Sequence, residues 1–243
     1  MKTTRLFLLL ALAVPLAAAA APDADPALIE WSPSPHWSAG VAYTHRVRPL
    51  SRDGGGTWSL SGESYDGVVT YTRDWWSLFA FAGATQAHLE EYALKDLGMD
   101  PGGGAGLRVN LWQIAPAKSG GPWDVTLKLE GRAEWRETSS DRETLRWFEG
   151  FAAAPVAWRL SSARSGHDTS IHDYHAIGAY AGPALSALDG TREFANAKTS
   201  FEHDDLVGGV AGVELWLLRN LRFDGRLEYF GDCSFALSCT YLF

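Results

Sequence analysis

The sequence predicts an all-β fold, a closed antiparallel up-and-down barrel of ten strands, with eight as the alternative if one hairpin is merged. Three observations carry this. Segments of ten or more residues alternate apolar and charged positions with period two, a spacing that a helix would scatter around its circumference. Aromatic residues gather near the ends of those segments. The chain also ends inside its last alternating segment, on Phe243. Composition agrees: eleven Trp, eleven Phe and eight Tyr accompany twenty-five Gly, which favours alternating strands over helices.

The chain opens with Lys2 and Arg5, an apolar stretch from Leu6 to Leu16 broken by Pro15, and small residues from Ala17 to Ala21. That pattern is a secretory signal peptide over 1–20, cleaved after Ala20 with Ala18 at the −3 position. The apolar run is short of the ~20 residues a membrane helix needs. Residues 21–35 read as a short periplasmic tether, and 36–243 as one barrel domain. The expected strands are 36–48, 63–74, 75–87, 103–115, 123–137, 145–160, 172–186, 205–218, 221–231 and 233–243. Most are long enough for tilted membrane strands of ~9–11 residues.

The firmest are two. In 123–137, Val125, Leu127, Leu129, Gly131, Ala133 and Trp135 share one face, opposite Lys128, Glu130, Arg132, Glu134 and Arg136. In 221–231, Leu221, Phe223, Gly225, Leu227 and Tyr229 oppose Arg222, Asp224, Arg226 and Glu228. Segments 75–87 and 145–160 are apolar on both faces in places, so their parity stays open. Long links are expected at 49–62, 88–102 and 187–204, and short ones at Asp74-Trp75, 116–122 and Arg219-Asn220. Two links break this alternation: 161–171 is long where a short one is expected, and Gly231-Asp232 is short where a long one is. Cys233 and Cys239 lie six apart in one strand, about 20 Å at ~3.3 Å per residue, too far to bridge.

Alternation alone does not distinguish a membrane barrel from a soluble one. The aromatics add information: Trp37, Trp75, Trp76, Trp112, Trp123, Trp158, Trp216, Tyr174, Tyr241 and Phe243 fall near one end, and Tyr65, Trp135, Trp147, Tyr229 and Phe230 near the other. Two aromatic girdles are what membrane interfaces favour. Strict parity turns Trp112 and Trp216 toward the lumen. The mixed-sign ladder of Lys128, Glu130, Arg132, Glu134, Arg136, Arg222, Asp224, Arg226 and Glu228 would satisfy itself across a narrow lumen. In lipid every backbone polar group must be paired internally, so strands can span only as a closed barrel.

The last segment places Cys233, Phe235, Leu237, Cys239, Tyr241 and Phe243 on one apolar face that runs to the final residue. Here the chain resembles the small outer-membrane barrels of Gram-negative bacteria, OmpA-type and porin-like domains included. The resemblance implies an outer-membrane location and contact with outer-membrane lipid and lipopolysaccharide. It also implies that the barrel assembly machinery reads Tyr241 and Phe243 as a C-terminal signal.

The densest polar cluster is 165–175, with His167, Asp168, Ser170, His172, Asp173 and His175. A rim-active hydrolase could use such groups, since Asp173 and His175 would project to one side of a strand. The simpler reading is a polar turn, and a minor one is metal binding by the histidines. His36 and His45 read as interfacial or strand residues, and His88 and His203 as loop residues, without metal-site spacing. Gly102-Gly103-Gly104 lacks the Lys-Ser/Thr of a phosphate loop. Glu202 with Asp204 and Asp205 could loosely hold a cation, but the simpler reading is a solvated acidic loop. A formal charge of −8 argues against nucleic acid. The expectation is therefore a non-enzymatic barrel without cofactor or metal, its lumen largely filled, with a structural or surface-contact role or a narrow conductance. The alternatives are the rim hydrolase and a secreted soluble barrel that binds an apolar ligand.

If Tyr241 and Phe243 form an assembly signal, deleting Phe243 lowers membrane yield far more than it lowers the melting temperature of assembled protein. Burial alone assigns that ring only about 1.5–3 kcal/mol. Heat-modifiable gel mobility of membrane fractions, beside melts of refolded protein, measures both. Equal yields would remove the signal.

Overall fold

The computed structural model describes residues 36–52, 55–73, 75–89, 98–114, 123–141, 143–161, 176–195, 197–203, 206–218 and 220–243. The proposed signal peptide and tether lie outside them. The described strands are β1 (His36–Arg52), β2 (Thr57–Arg73), β3 (Trp76–Leu89), β4 (Asp100–Ile114), β5 (Trp123–Ser139), β6 (Glu143–Ala153), β7 (Val156–Ser161), β8 (Ala176–Phe194), β9 (Ala197–His203), β10 (Val207–Leu218), β11 (Leu221–Phe230) and β12 (Asp232–Leu242).

Ten of these close an antiparallel ring in which each strand pairs with its neighbours in the order β1, β2, β3, β4, β5, β6, β8, β10, β11, β12. The ring shuts where β12 returns to β1, from Ser38↔Leu242 to His45↔Phe235. This is the expected fold class and strand number. The two remaining strands extend the ring. β7 continues the course of β6 between β5 and β8 after a break at Ala154-Pro155. A proline has no N–H for the ladder, which is why the strand is interrupted there. β9 bridges β8 to β1 above the tip of the β11–β12 hairpin.

Two of the expected long links are not loops. Within 49–62, β1 and β2 stay paired as far as Ser51↔Thr57. Within 187–204, β8 and β9 pair from Asp189↔Glu202 to Phe194↔Ala197. His88 and His203 accordingly stand in β3 and β9, not in loops. These segments are polar on one face, which reads as loop in isolation. The other face supplies Leu50, Trp58, Leu60, Leu188 and Phe201.

Those apolar residues meet Ala87, Leu89, Leu145 and Trp147 in one buried cluster inside the far end of the barrel, the end away from His36 and Phe243. On the outside of this collar stand Ser51, Ser59, Gln86, His88, Thr144, Arg146, Asp189, Glu193, Lys198 and Ser200. The collar is thus largely apolar within, where it also encloses the Arg192–Glu143 ion pair at 2.6 Å, and polar without. Nearer the termini the arrangement reverses: Val41, Val69, Leu78, Val156, Ile177, Val213, Leu227 and Leu237 are exposed, while Asp66, Glu130, Glu134, Arg136 and Glu228 are buried. Outward aromatic residues border this exposed apolar belt. Trp37, Tyr71 and Trp76 pack together at the terminal end, and Tyr65, Trp135 and Tyr229 stand exposed at the collar side.

Three aromatic placements differ from the sequence reading. Trp112 is outward, 48% exposed, because a bulge between Asn110 and Trp112 shifts the register of β4 and flips its parity. Trp147 and Phe230, at 3% and 0% exposure, point inward on the faces of Glu149 and Glu228. Trp216 is inward at 5%, where parity puts it.

Because the collar has an ordinary apolar core, Trp58→Ala opens a cavity there. We expect a loss of about 3–5 kcal/mol, read from denaturant unfolding of the refolded protein. A neutral result would mean the collar does not contribute to the cooperative unit.

Candidate functional site

The polar interior of the belt is the candidate site. β5 supplies its longest row, because period two sends Asp124, Thr126, Lys128, Glu130, Arg132, Glu134, Arg136 and Thr138 to one face. β1 adds Arg46 and Arg48, β2 Asp66, β4 Arg108, β6 Glu149, and β11 Arg222, Asp224, Arg226 and Glu228.

These groups interlock. Arg136 makes a bidentate pair with Asp66, both bonds at 2.7 Å, and also donates to Glu134 and the Thr85 hydroxyl. Glu134 accepts from Arg46, whose other nitrogen reaches Glu149 at 3.1 Å. Arg48 donates to Glu149 at 3.2 Å and to Glu228 at 2.7 Å. Glu149 also accepts from the Ser186 hydroxyl at 2.7 Å. Glu228 takes a second, bidentate arginine, Arg132, at 2.9 and 3.1 Å. Arg226 joins Glu228 to Glu130, and Arg108 completes Glu130 at 2.9 Å. The chain of pairs is continuous from Asp66 on β2 to Arg108 on β4, passing across the lumen.

Phenylalanine rings back the guanidiniums. Arg132 lies 4.2 Å and Arg226 4.9 Å from the Phe151 centroid, Arg108 4.6 Å from Phe79, and Arg48 4.9 Å from Phe230. A desolvated cation over an aromatic face gains about 2 kcal/mol or more. β4 makes room with glycine for Phe79 and for Phe81, which lies 5.3 Å from the Arg136 guanidinium: a Cβ at Gly104 or Gly106 would come within 2.6 Å of Phe81 or 2.2 Å of Phe79. The Gly102–Gly104 run therefore lies within a strand and serves packing.

Toward the terminal end the pairs become separate. Lys128 reaches Glu214 at 3.3 Å, Arg159 reaches Asp124 at 2.7 Å, and the Tyr180 hydroxyl donates to Asp224 at 3.3 Å. Arg222 stacks on Trp216, 5.5 Å from its centroid. All nine residues of the sequence-derived ladder thus face inward. Arg46, Arg48, Asp66, Arg108, Glu149, Tyr180 and Glu214 were not singled out from the sequence. Glu149 carried a signal, as a lone acid within the apolar run of 147–153.

Tyr241 and Phe243 stand on the outside, their centroids 5.9 Å apart, and the Phe243 N–H donates to the Trp37 carbonyl at 3.0 Å. Cys233 and Cys239 are free thiols on the outward face of β12. The 165–175 cluster lies outside the described residues, as do Asp204 and Asp205. Among the described residues no group of three or more His, Cys, Asp or Glu could hold a metal.

No family model matches the chain, and no curated protein sequence does. Three solved structures show the level of structural likeness. The β-domain of the Bordetella autotransporter BrkA is 13% identical with a TM-score of 0.31, over 86% of this chain and 99% of that one. A bacterial polysaccharide outer-membrane secretin is 11% identical with a TM-score of 0.24, over 85% and 98%. A mutant of the Rh. blastica porin is 8% identical with a TM-score of 0.17, over 85% and 99%. Likenesses this low bear no argument about function.

Removing one partner from a buried pair strands the other charge. Arg48→Met leaves Glu149 and Glu228 each short of a cation. We expect a loss of about 3–5 kcal/mol, partly restored in the double variant Arg48→Met/Glu149→Leu. Equilibrium unfolding of the four proteins forms the cycle, and strict additivity would contradict the coupling.

Proposed function

We propose that the protein is a non-conducting, non-catalytic barrel of the Gram-negative outer membrane. It is exported by the 1–20 segment and inserted by machinery that reads Tyr241 and Phe243. Its collar stands in water as the surface other molecules meet. The observation that carries this reading is the reversal of polarity along one barrel. Apolar side chains face outward over the belt, where lipid is the fitting solvent, and charges there face one another. A soluble barrel with an apolar ligand inside would need the opposite arrangement at that level.

The filled lumen supports a closed state. A barrel of about eight strands has an interior that side chains can fill, and open channels belong to much larger rings. In this ring the apolar plug of the collar lies above the arginine–carboxylate network, so a solute would have to displace both. The ladder then serves as internal mortar for the barrel.

Planar bilayers test this directly. The full-length mature protein should insert without resolved open-channel steps across ordinary voltages. Arg48→Ala/Arg132→Ala, which thins the network but leaves the collar plug, should also remain closed. Stable single-channel steps from the wild-type protein would overturn the reading.

A further inference from the structure

From the Asp66–Arg136 pair down to the terminal end of the barrel, every Asp, Glu, Lys and Arg that faces the lumen among the described residues has an ion partner, except two. The two are Arg222 and Asp224, neighbours on the inward face of β11. They stand about 7 Å apart along the strand, at ~3.4 Å per residue, yet they do not pair with each other. Each is held by a ring instead. Arg222 lies on Trp216, 5.5 Å from the ring centroid. Asp224 accepts from the Tyr180 hydroxyl at 3.3 Å. Arg222 Nε is buried without a hydrogen-bond partner. Charges taken from bulk water recover that cost only through close opposite charges and hydrogen bonds, and the protein supplies this pair with neither in full.

The adjacent strands leave space beside the two charges and offer them no spare partner. β12 places Thr240 opposite Arg222 and Ser238 opposite Asp224, both small hydroxyl side chains. β10 places Trp216 and Glu214 on the other side. Glu214 is taken by Lys128. Arg226, two residues beyond Asp224, is taken by Glu130 and Glu228. Water reaches this level of the lumen. The inward side chains of Lys128 and Arg108 are 29% and 38% exposed, against 0% for Arg48 in the network above. With the network and the collar packed above it, this level is entered from the terminal end.

We infer that Arg222 and Asp224 bind one small zwitterion, an α-amino acid, its carboxylate on the Arg222 guanidinium and its ammonium on the Asp224 carboxylate. A ligand carrying both charges on one carbon meets both groups at charge-assisted lengths of about 2.8 Å. A plain anion would face the Asp224 carboxylate, and a plain cation the Arg222 guanidinium. A zwitterion meets both and adds no net charge to the lumen. Glu214, across the ladder from Asp224, favours the ammonium at that end. The ligand enters and leaves by the terminal mouth, so the site goes beyond the closed-lumen reading without requiring passage through the collar.

The test is equilibrium dialysis of the full-length mature protein, refolded in detergent, against radiolabelled glycine, the smallest α-amino acid. Wild type should bind one glycine per chain, saturably, in the millimolar range. Acetate and methylammonium, which carry one charge each, should displace the label roughly tenfold less well than unlabelled glycine, because each forgoes one charged hydrogen bond. Arg222→Gln and Asp224→Asn should each weaken glycine binding by roughly the same factor. Neither variant strands a counter-ion, and the asparagine keeps an acceptor for Tyr180, so both can fold, which heat-modifiable gel mobility checks. Absence of saturable glycine binding, affinity unchanged in either variant, or acetate competing as well as glycine would each overturn the inference. Channel recordings judge the closed lumen and dialysis judges this site, so each reading fails separately from the other.

Discussion

Glu149 is fully buried near the middle of the barrel, and two arginines from β1 hold it there. Its position states the constraint under which the rest is built. Once the apolar side chains of the belt face outward, period two sends every intervening charged residue inward. Each of those charges has left water, at a cost of several kcal/mol per ion after relaxation. Coulomb attraction offsets that cost only when partners lie close and the spare donors and acceptors are used. The network brings partners close by sharing, while Glu149 Oε2 and Arg226 Nη2 keep no hydrogen-bond partner among the described residues. Glu228 serves three arginines, and Glu130 and Glu149 two each. No single strand could achieve it, since the partners come from β1, β2, β4, β5, β6 and β11. The ring must be closed before the charges are satisfied.

The collar solves the opposite problem with the same alternation. Strands that continue past the belt meet water on the outside, so the outward face turns polar and the inward face apolar. The transition needs no change of register. β1 keeps one inward face throughout, passing from Ser38 to Arg46 and Arg48 and then to Leu50. Ring size changes there as well. β9 alone bridges β8 to β1 where β10, β11 and β12 do so below, so one strand takes the place of three. A narrower ring suits a core packed by side chains.

Much of this was legible in the sequence, and the losses have physical causes. The ten-strand ring and its antiparallel course follow from period two. The inward side of β5 and β11 was readable because their charges alternate without interruption. The collar was not readable, because β1, β2, β8 and β9 carry Ser, Thr, Gly and charged residues on their water-facing side there. Such residues are also the signature of loops. Trp112 was misplaced because a bulge leaves no mark in the hydrophobic pattern. The partners Arg46, Arg48 and Glu149 escaped notice because neither β1 nor β6 carries an unbroken ladder of alternating charges, and the pairing exists only across the lumen.

The fork where β1 changes partner explains how a ring can lose two strands without leaving an open edge. β12 supports β1 up to His45↔Phe235, and β9 takes over at Leu50↔His203. Between them Val47 has β2 on one side and no ladder partner on the other. The Ser234 hydroxyl fills the gap: it accepts from the Val47 N–H at 2.9 Å and donates to the Val47 carbonyl at 3.0 Å. The same oxygen accepts from Arg48 at 2.6 Å, which anchors the ion network to the fork. Behind it, Phe230 is fully buried against the Arg48 guanidinium and the His203 ring. Gly231, at φ 80°, turns the β11–β12 hairpin below this point, a backbone region where glycine carries little steric penalty. A longer hairpin would occupy the place that β9 takes beside β1. The short turn that broke the expected loop pattern is therefore what allows the barrel to narrow, and Ser234 is what keeps the narrowing sealed.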